Sequence, residues 1–109
     1  MAMQNMSVQV LAQMRAQGVS VCVVDVREDW ERALVCIEGS VHIPLGQLPA
    51  QVEILKSHQN TPVVAVCHHG VRSQRAALFL ASVGFSQVFS LEGGVDAWAS
   101  EIDPSLARY

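Results

Sequence analysis

Basic charge is scarce in this chain. Of 109 residues only seven are Lys or Arg, and just one of those is Lys. The formal net charge is -3 and the isoelectric point about 5.7. A protein built to hold nucleic acid needs a surplus of cations to displace counterions, so nucleic acid is excluded as the main partner. Long apolar runs are missing too. The stretches around Val63 to Cys67 and Ala76 to Ala81 fall far short of a spanning helix, which excludes membrane insertion. The opening Met1-Ala2-Met3-Gln4-Asn5-Met6 has no basic segment followed by an apolar core, hence no secretory signal, and a cytoplasmic location is expected. Cys22, Cys36 and Cys67 make an odd count without a Cys-x-x-Cys pair, against both a disulfide framework and a zinc site. Each thiol therefore needs its own explanation, as core filler or as chemistry.

What is abundant is apolar. Hydrophobic residues make up 50% and charged residues 16%, so the chain is no solvating tail or linker. Its length suits one domain over residues 1–109, with a core at about 7–101 and a C-terminal tail at 102–109. Seventeen residues are Val, clustered in short runs, and the stretches between the clusters are Ala-rich and helix-compatible. Ser7 is a natural N-cap for a helix through Val8, Leu11, Ala12 and Met14 to Gly18. Val19 to Asp25 has a continuous apolar centre, the signature of a strand covered on both faces of a parallel sheet. A short helix is expected from Glu28 to about Leu34, then a brief strand Val41-His42-Ile43 ending at Pro44. Pro49 offers a helix start for Val52, Ile54 and Leu55. Thr61 to Cys67 is the second central strand. Ser73 opens a helix through Ala76, Ala77, Leu78, Phe79, Leu80 and Val83 to Gly84, apolar around most of its circumference and expected to be largely covered. Val88 to Leu91 is another strand, followed by Gly93-Gly94 and a last helix with Val95, Ala97 and Trp98. Regular alternation of these four strands with helices predicts an α/β fold, an open, mostly parallel sheet with helices on both faces. Ligands in such folds sit beyond the carboxyl ends of the strands, so the loop after Val66 is the first place to look.

That loop reads Cys67-His68-His69-Gly70-Val71-Arg72-Ser73. A cysteine at a strand's carboxyl end, followed by a short loop and a helix, is faced by curled backbone N-H groups and the positive end of the helix. Both stabilise negative charge on sulfur, the reactive form of a cysteine. Gly70 gives the loop backbone angles closed to other residues. Arg72 brings a planar charge that either binds an anion or braces the loop. By position alone Cys67 reads more readily as a small buried hydrophobe. The order of Gly70, Arg72 and Ser73 favours the anion-cradling nucleophile.

The chain resembles the rhodanese-like sulfurtransferase family along nearly its whole length, which implies a central, mostly parallel sheet of about five short strands with helices on both faces. The resemblance rests on Asp25-Val26-Arg27-Glu28, Glu31, Gly39 with His42-Ile43-Pro44, the Cys67 to Ser73 loop, Gly84-Phe85, Val88, and Leu91-Glu92-Gly93-Gly94 with Ala97-Trp98. It implies that Cys67 takes the sulfane sulfur of a donor such as thiosulfate as a persulfide and passes it to cyanide, a thiol or a protein acceptor. It further implies that the N-H groups of His68, His69, Gly70, Val71, Arg72 and Ser73 line the cradle, and that Arg72 orients the donor or locks the loop. Asp25 and Arg27 are implied as a structural charged pair, with Glu31 in the same supporting network. No cofactor or metal is called for. Cysteine-dependent phosphatases, some of which share the fold, place five residues between Cys and Arg. Four separate Cys67 from Arg72, a tighter cradle suited to one sulfur atom.

Where many members carry glycine, histidine and isoleucine ahead of a conserved glycine, this chain has Val35, Cys36 and Ile37 before Gly39. Cys36 is thus either a resolving thiol or buried filler, and Cys22 is filler. His68 and His69 stand where some thiosulfate-using members have a basic residue. They either tune Cys67 or, less simply, join it and His58 around a metal. His42 is a strand-end residue. The tail Leu106 to Tyr109 and Trp30 either form a partner surface or pack against the protein's own body. The alternative function is a non-catalytic interaction or regulatory module on the same fold, a fate against which the retained Cys67 argues.

Overall fold

Two four-residue strands with every residue buried, β2 (Cys22–Asp25) and β4 (Val63–Val66), form the centre of the protein. The computed structural model describes residues 3–109, so Met1 and Ala2 of the N-terminal reading lie outside the described residues. Around the centre the chain runs β1 (Gln4–Met6), α1 (Val8–Ala16), β2, α2 (Asp29–Leu34), β3 (Val41–His42), α3 (Leu48–Gln51), β4, α4 (Val71–Ser82), β5 (Val88–Leu91) and α5 (Gly94–Glu101). The five strands form one sheet in the order β1-β5-β4-β2-β3, and every pairing is parallel. Parallel strands need crossovers, and the helices supply them on both faces.

Side-chain alternation along the strands divides the core into two layers. Cys22, Val24, Val63, Ala65 and Cys67 face Ile43, Leu48, Leu55, Ala76, Leu80 and Phe85. Val23, Val64, Val66 and Leu91 face Val8 and Leu11 of α1 and Val95 and Trp98 of α5. Cys22 is therefore filler in fact, and burial pushes its thiol pKa up.

Several expected elements change in detail. The strand β1 has no counterpart in the sequence reading. It is three residues long, only Met6 of it is buried, and pairing with β5 creates it. The expected helix through Val52, Ile54 and Leu55 winds as a 3-10 helix (Val52–His58) after α3, with Leu55 inward and Ile54 exposed. The helix α4 begins at Val71 with Gly70 as its N-cap, so Ser73 lies in its first turn and does not open it. Nor is α4 largely covered: Ala76, Ala77 and Leu80 are buried, but Leu78 is 53% exposed. No described helix is long and apolar enough to cross a membrane.

Deleting buried carbons leaves a cavity, whereas trimming an exposed side chain does not. Leu80→Ala is expected to cost about 2–5 kcal/mol and Leu78→Ala less than about 1 kcal/mol in urea unfolding. Equal costs would refute the facing of α4.

Candidate active site

The strand β4 delivers Cys67 to the carboxyl edge of the sheet, and the chain then turns through His68, His69 and Gly70 into α4. The turn depends on glycine at two points. Gly70 has φ +130°, a conformation that L side chains rarely adopt. Gly94, at the start of α5, packs so closely on the loop that a Cβ there would meet the carbonyl oxygens of Cys67 and His68. That approach lets the Val95 N-H donate to the Cys67 carbonyl at 2.8 Å and the Asp96 N-H to the His68 carbonyl at 3.2 Å.

Within the loop the Gly70 N-H donates to Cys67 Sγ at 3.0 Å. The Cys67 thiol lies 3.5 Å from the Ser73 hydroxyl, which donates to the Gly70 carbonyl at 3.0 Å and shares a 2.7 Å hydrogen bond with Ser90. Cys67, Ser73 and Ser90 are all buried. The first turn of α4 has backbone N-H groups without intrahelical acceptors, and these belong to Val71, Arg72 and Ser73. The Val71 side chain is exposed. Beside the loop a cavity of about 230 Å³ is lined by Asn5, His69, Gly70, Gln74, Ser90 and Glu92, among others.

Arg72 has an acidic partner and lies near enough to Cys67 for the two to interact electrostatically. Its guanidinium makes a two-pronged ion pair with Glu31, Nη2 lying 2.8 Å from Oε2. Glu31 belongs to α2, and its Oε1 also accepts the Glu28 N-H at 2.9 Å, closing a capping box. The Arg72 hydrogen bonds, helped by Tyr109 and the Glu28 N-H, outweigh burial and hold the Glu31 carboxyl at about 2. The same pair raises the pKa of Arg72.

Asp25 and Arg27 form a second, fully buried pair. The Arg27 Nε and backbone N-H donate to Asp25 Oδ1 at 2.9 and 3.1 Å, and Nη2 donates to Oδ2 at 2.7 Å. Burial works against the Arg27 charge, yet the hydrogen bonds to Asp25 and Tyr109 prevail and raise its pKa. Arg32 adds a 3.3 Å contact to Asp25 and ties it to Ser40. His42 lies at the end of β3, its Nε2 2.8 Å from the Arg27 carbonyl.

The two pairs meet at a residue that sequence reasoning left in the tail. Tyr109 donates its hydroxyl to Glu31 Oε2 at 2.6 Å and accepts from Arg27 Nη1 at 3.0 Å. Its ring stacks on His68 with centroids 3.9 Å apart and planes 7° apart, and Trp30 meets it edge-on at 6.0 Å. The tail therefore packs on the protein's own body, while Trp30 remains 62% exposed. Ser90 was also missed. Its one signal was a hydroxyl at the inward register of β5, two residues after the buried Val88.

The other singled-out residues lie apart. His58 precedes β4 and bonds to Thr61, so the strand separates it from Cys67 by roughly 3.3 Å per residue. His69 is exposed, 3.9 Å from Asp96, which is paired with Arg108. No group of three or more metal-ligating side chains occurs among the described residues. Cys36 is half-buried and lines a different cavity of about 390 Å³ with Arg15, Ile37, Trp98 and Leu106.

The site is thus a buried cysteine at the carboxyl edge of a parallel α/β sheet, with a backbone N-H on its sulfur and a helix starting beside it. Residues 7–101 match the rhodanese-like domain family. The thiosulfate sulfurtransferase GlpE of a Pseudomonas fluorescens strain is 40% identical over 95 residues, 87% of this chain and 84% of that protein. Its counterpart in Ectopseudomonas mendocina is 34% identical over 105 residues, 96% and 93% of the two chains. Among solved structures, a rhodanese-like domain protein from Staphylococcus aureus superposes with a TM-score of 0.80 at 30% identity, covering 98% of this chain and 99% of its own. The chain belongs to the rhodanese-like family and is a rhodanese-type sulfurtransferase.

Because the folded Glu31 pKa of about 2 lies below its ordinary 4.5, the stability this carboxylate contributes is complete above about pH 4.5 and lost as pH falls through 2. Glu31→Gln is expected to lower stability by about 2 kcal/mol at pH 7, since it strands Arg72 without a charged partner. The gap to the parent should shrink between pH 4.5 and 2 in urea unfolding. A constant gap would refute the pair. Gly94→Ala should disrupt the loop, because its Cβ cannot share space with the Cys67 and His68 carbonyls. A parent-like Cys67 alkylation rate in that variant would count against the clamp by α5.

Proposed function

We propose that Cys67 is the sulfur carrier of this enzyme, cycling between thiolate and persulfide. The carrying observation is the hydrogen bond from the Gly70 N-H to Cys67 Sγ, made where α4 begins. In the first half-reaction the thiolate attacks the outer, sulfane sulfur of thiosulfate. The sulfur-sulfur bond of the donor breaks, sulfite leaves with the electron pair, and the sulfane sulfur remains on Cys67. In the second, a thiophilic acceptor such as cyanide or a thiolate attacks that outer sulfur, the new disulfur bond breaks, and the Cys67 thiolate is restored. Atoms and electrons balance without a cofactor, and no proton must cross the protein interior.

The loop residues divide the work. Gly70, with the N-H groups of Val71, Arg72 and Ser73 at the head of α4, holds the negative charge of thiolate and persulfide alike. Ser73, aligned by Ser90, places a hydroxyl beside the sulfur. Arg72 serves the loop through Glu31, a brace that leaves the cradle to backbone donors. That arrangement suits a sulfur atom better than a phosphoryl group, which needs the arginine fork for its oxygens. The relatives named thiosulfate sulfurtransferase support thiosulfate as the donor. Three unpaired thiols suit a reducing cytoplasm, and a protein acceptor is compatible with the exposed rim at His69 and Val71.

Incubation with thiosulfate should add the mass of one sulfur atom to the peptide that carries Cys67, and subsequent cyanide should remove it as thiocyanate. The Cys67→Ser protein should gain no such mass, whereas Cys36→Ser should behave as the parent. Sulfur loading on Cys36 in place of Cys67 would overturn the assignment.

A further inference from the structure

We propose that Tyr109 is a positioning residue that clamps the Cys67 loop at both of its ends. At the loop's first turn its ring stacks on His68. The opposite face of that imidazole meets His69 with centroids 3.9 Å apart, and His68 Nε2 is buried without a hydrogen-bond partner among the described residues. Stacking therefore places the His68 ring, and Tyr109 supplies one of its two faces. At the loop's far end the hydroxyl donates to Glu31 Oε2, the same oxygen that receives Arg72 Nη2. A single side chain thus touches the residue after Cys67 and the partner of Arg72.

The same hydroxyl accepts from Arg27 Nη1, which joins the Asp25 and Glu31 ion pairs into one network. Tyr109 is fixed in turn by Trp30. Without it, Glu31 Oε2 keeps only Arg72 and the His68 ring keeps only His69. The stretch between them carries Gly70, whose N-H must point at the sulfur. Holding that donor in place before a substrate arrives removes a reorganisation cost from the chemical step. The inference rests on Cys67 being the sulfur carrier, but the clamp itself is measurable without turnover.

Tyr109→Phe keeps the stacking ring and removes the hydroxyl, while Tyr109→Ala removes both. Hydrogen exchange at the Gly70 amide should quicken about threefold in Tyr109→Phe and at least about tenfold in Tyr109→Ala, read below the melting temperature of each. The His68 ring protons should keep their parent NMR shifts in the Phe protein and move downfield in the Ala protein as the ring current disappears. In sulfur transfer, kcat should fall about tenfold in Tyr109→Ala with KM for thiosulfate within about twofold, because orientation is lost rather than binding. Parent-like Gly70 exchange in Tyr109→Ala overturns the clamp whatever the activity. If Tyr109→Ala does not fold, parent-like exchange in Tyr109→Phe overturns it. Faster exchange together with a parent that accepts sulfur from no donor upholds the clamp and refutes the sulfur-carrier reading.

Discussion

The capture of two loop carbonyls by the start of α5 is the contact on which the site depends. A peptide group is planar and trans, so its carbonyl and its N-H point in opposite directions. Once Val95 and Asp96 draw the Cys67 and His68 carbonyls toward α5, the N-H groups of His68 and His69 must point away from it. The loop is thereby turned so that donors, not acceptors, are available on the face away from α5. Only a residue without a side chain fits at Gly94, which lies against both carbonyls. A helix at the end of the chain thus fixes the electrostatics of a loop some twenty-five residues earlier.

The charged network does a different task. Asp25, Arg27 and Glu31 are buried, and buried ion pairs seldom stabilise a fold relative to apolar packing of the same volume. What they supply is geometry. Asp25 receives Arg27 through both carboxylate oxygens, and Glu31 receives Arg72, the Glu28 N-H and Tyr109 on its two. With so many partners satisfied, each side chain has one acceptable position, and α2, the tail and the loop are registered against each other.

The sheet and the loop were legible in the sequence because their signals are local. Continuous apolar runs at Val21 to Val24 and Val63 to Val66 mark strands covered on both sides, and Gly70 marks a turn. The edge strand Gln4–Met6 was not legible, since its pairing with β5 has no local trace in two exposed polar residues. The 3-10 winding after α3, with Leu55 inward, likewise has no side-chain capping bond to announce it. Within the site, Cys67 stood out by its place after a strand. The ion pair of Arg72 with Glu31, forty-one residues away in sequence, has no local trace either. Tyr109 was visible as an apolar tail residue, but its contacts with Arg27, Glu31 and His68 arise only when the chain folds back on itself.

The scarcity of basic residues acquires a meaning in this setting. Seven Lys and Arg side chains serve the whole chain, and Arg27, Arg32 and Arg72 of these are committed to Asp25 and Glu31. Each of the three has a carboxylate partner that offsets its charge. In the proposed function the attraction rests largely on backbone N-H groups, which carry partial charges and cannot be titrated. If Cys67 carries sulfur as proposed, its persulfide has to be held firmly enough to survive between donor and acceptor, yet released to a weak nucleophile. A full guanidinium charge on the sulfur would favour the first requirement against the second. A cradle of partial charges, with Arg72 held by Glu31, would meet both.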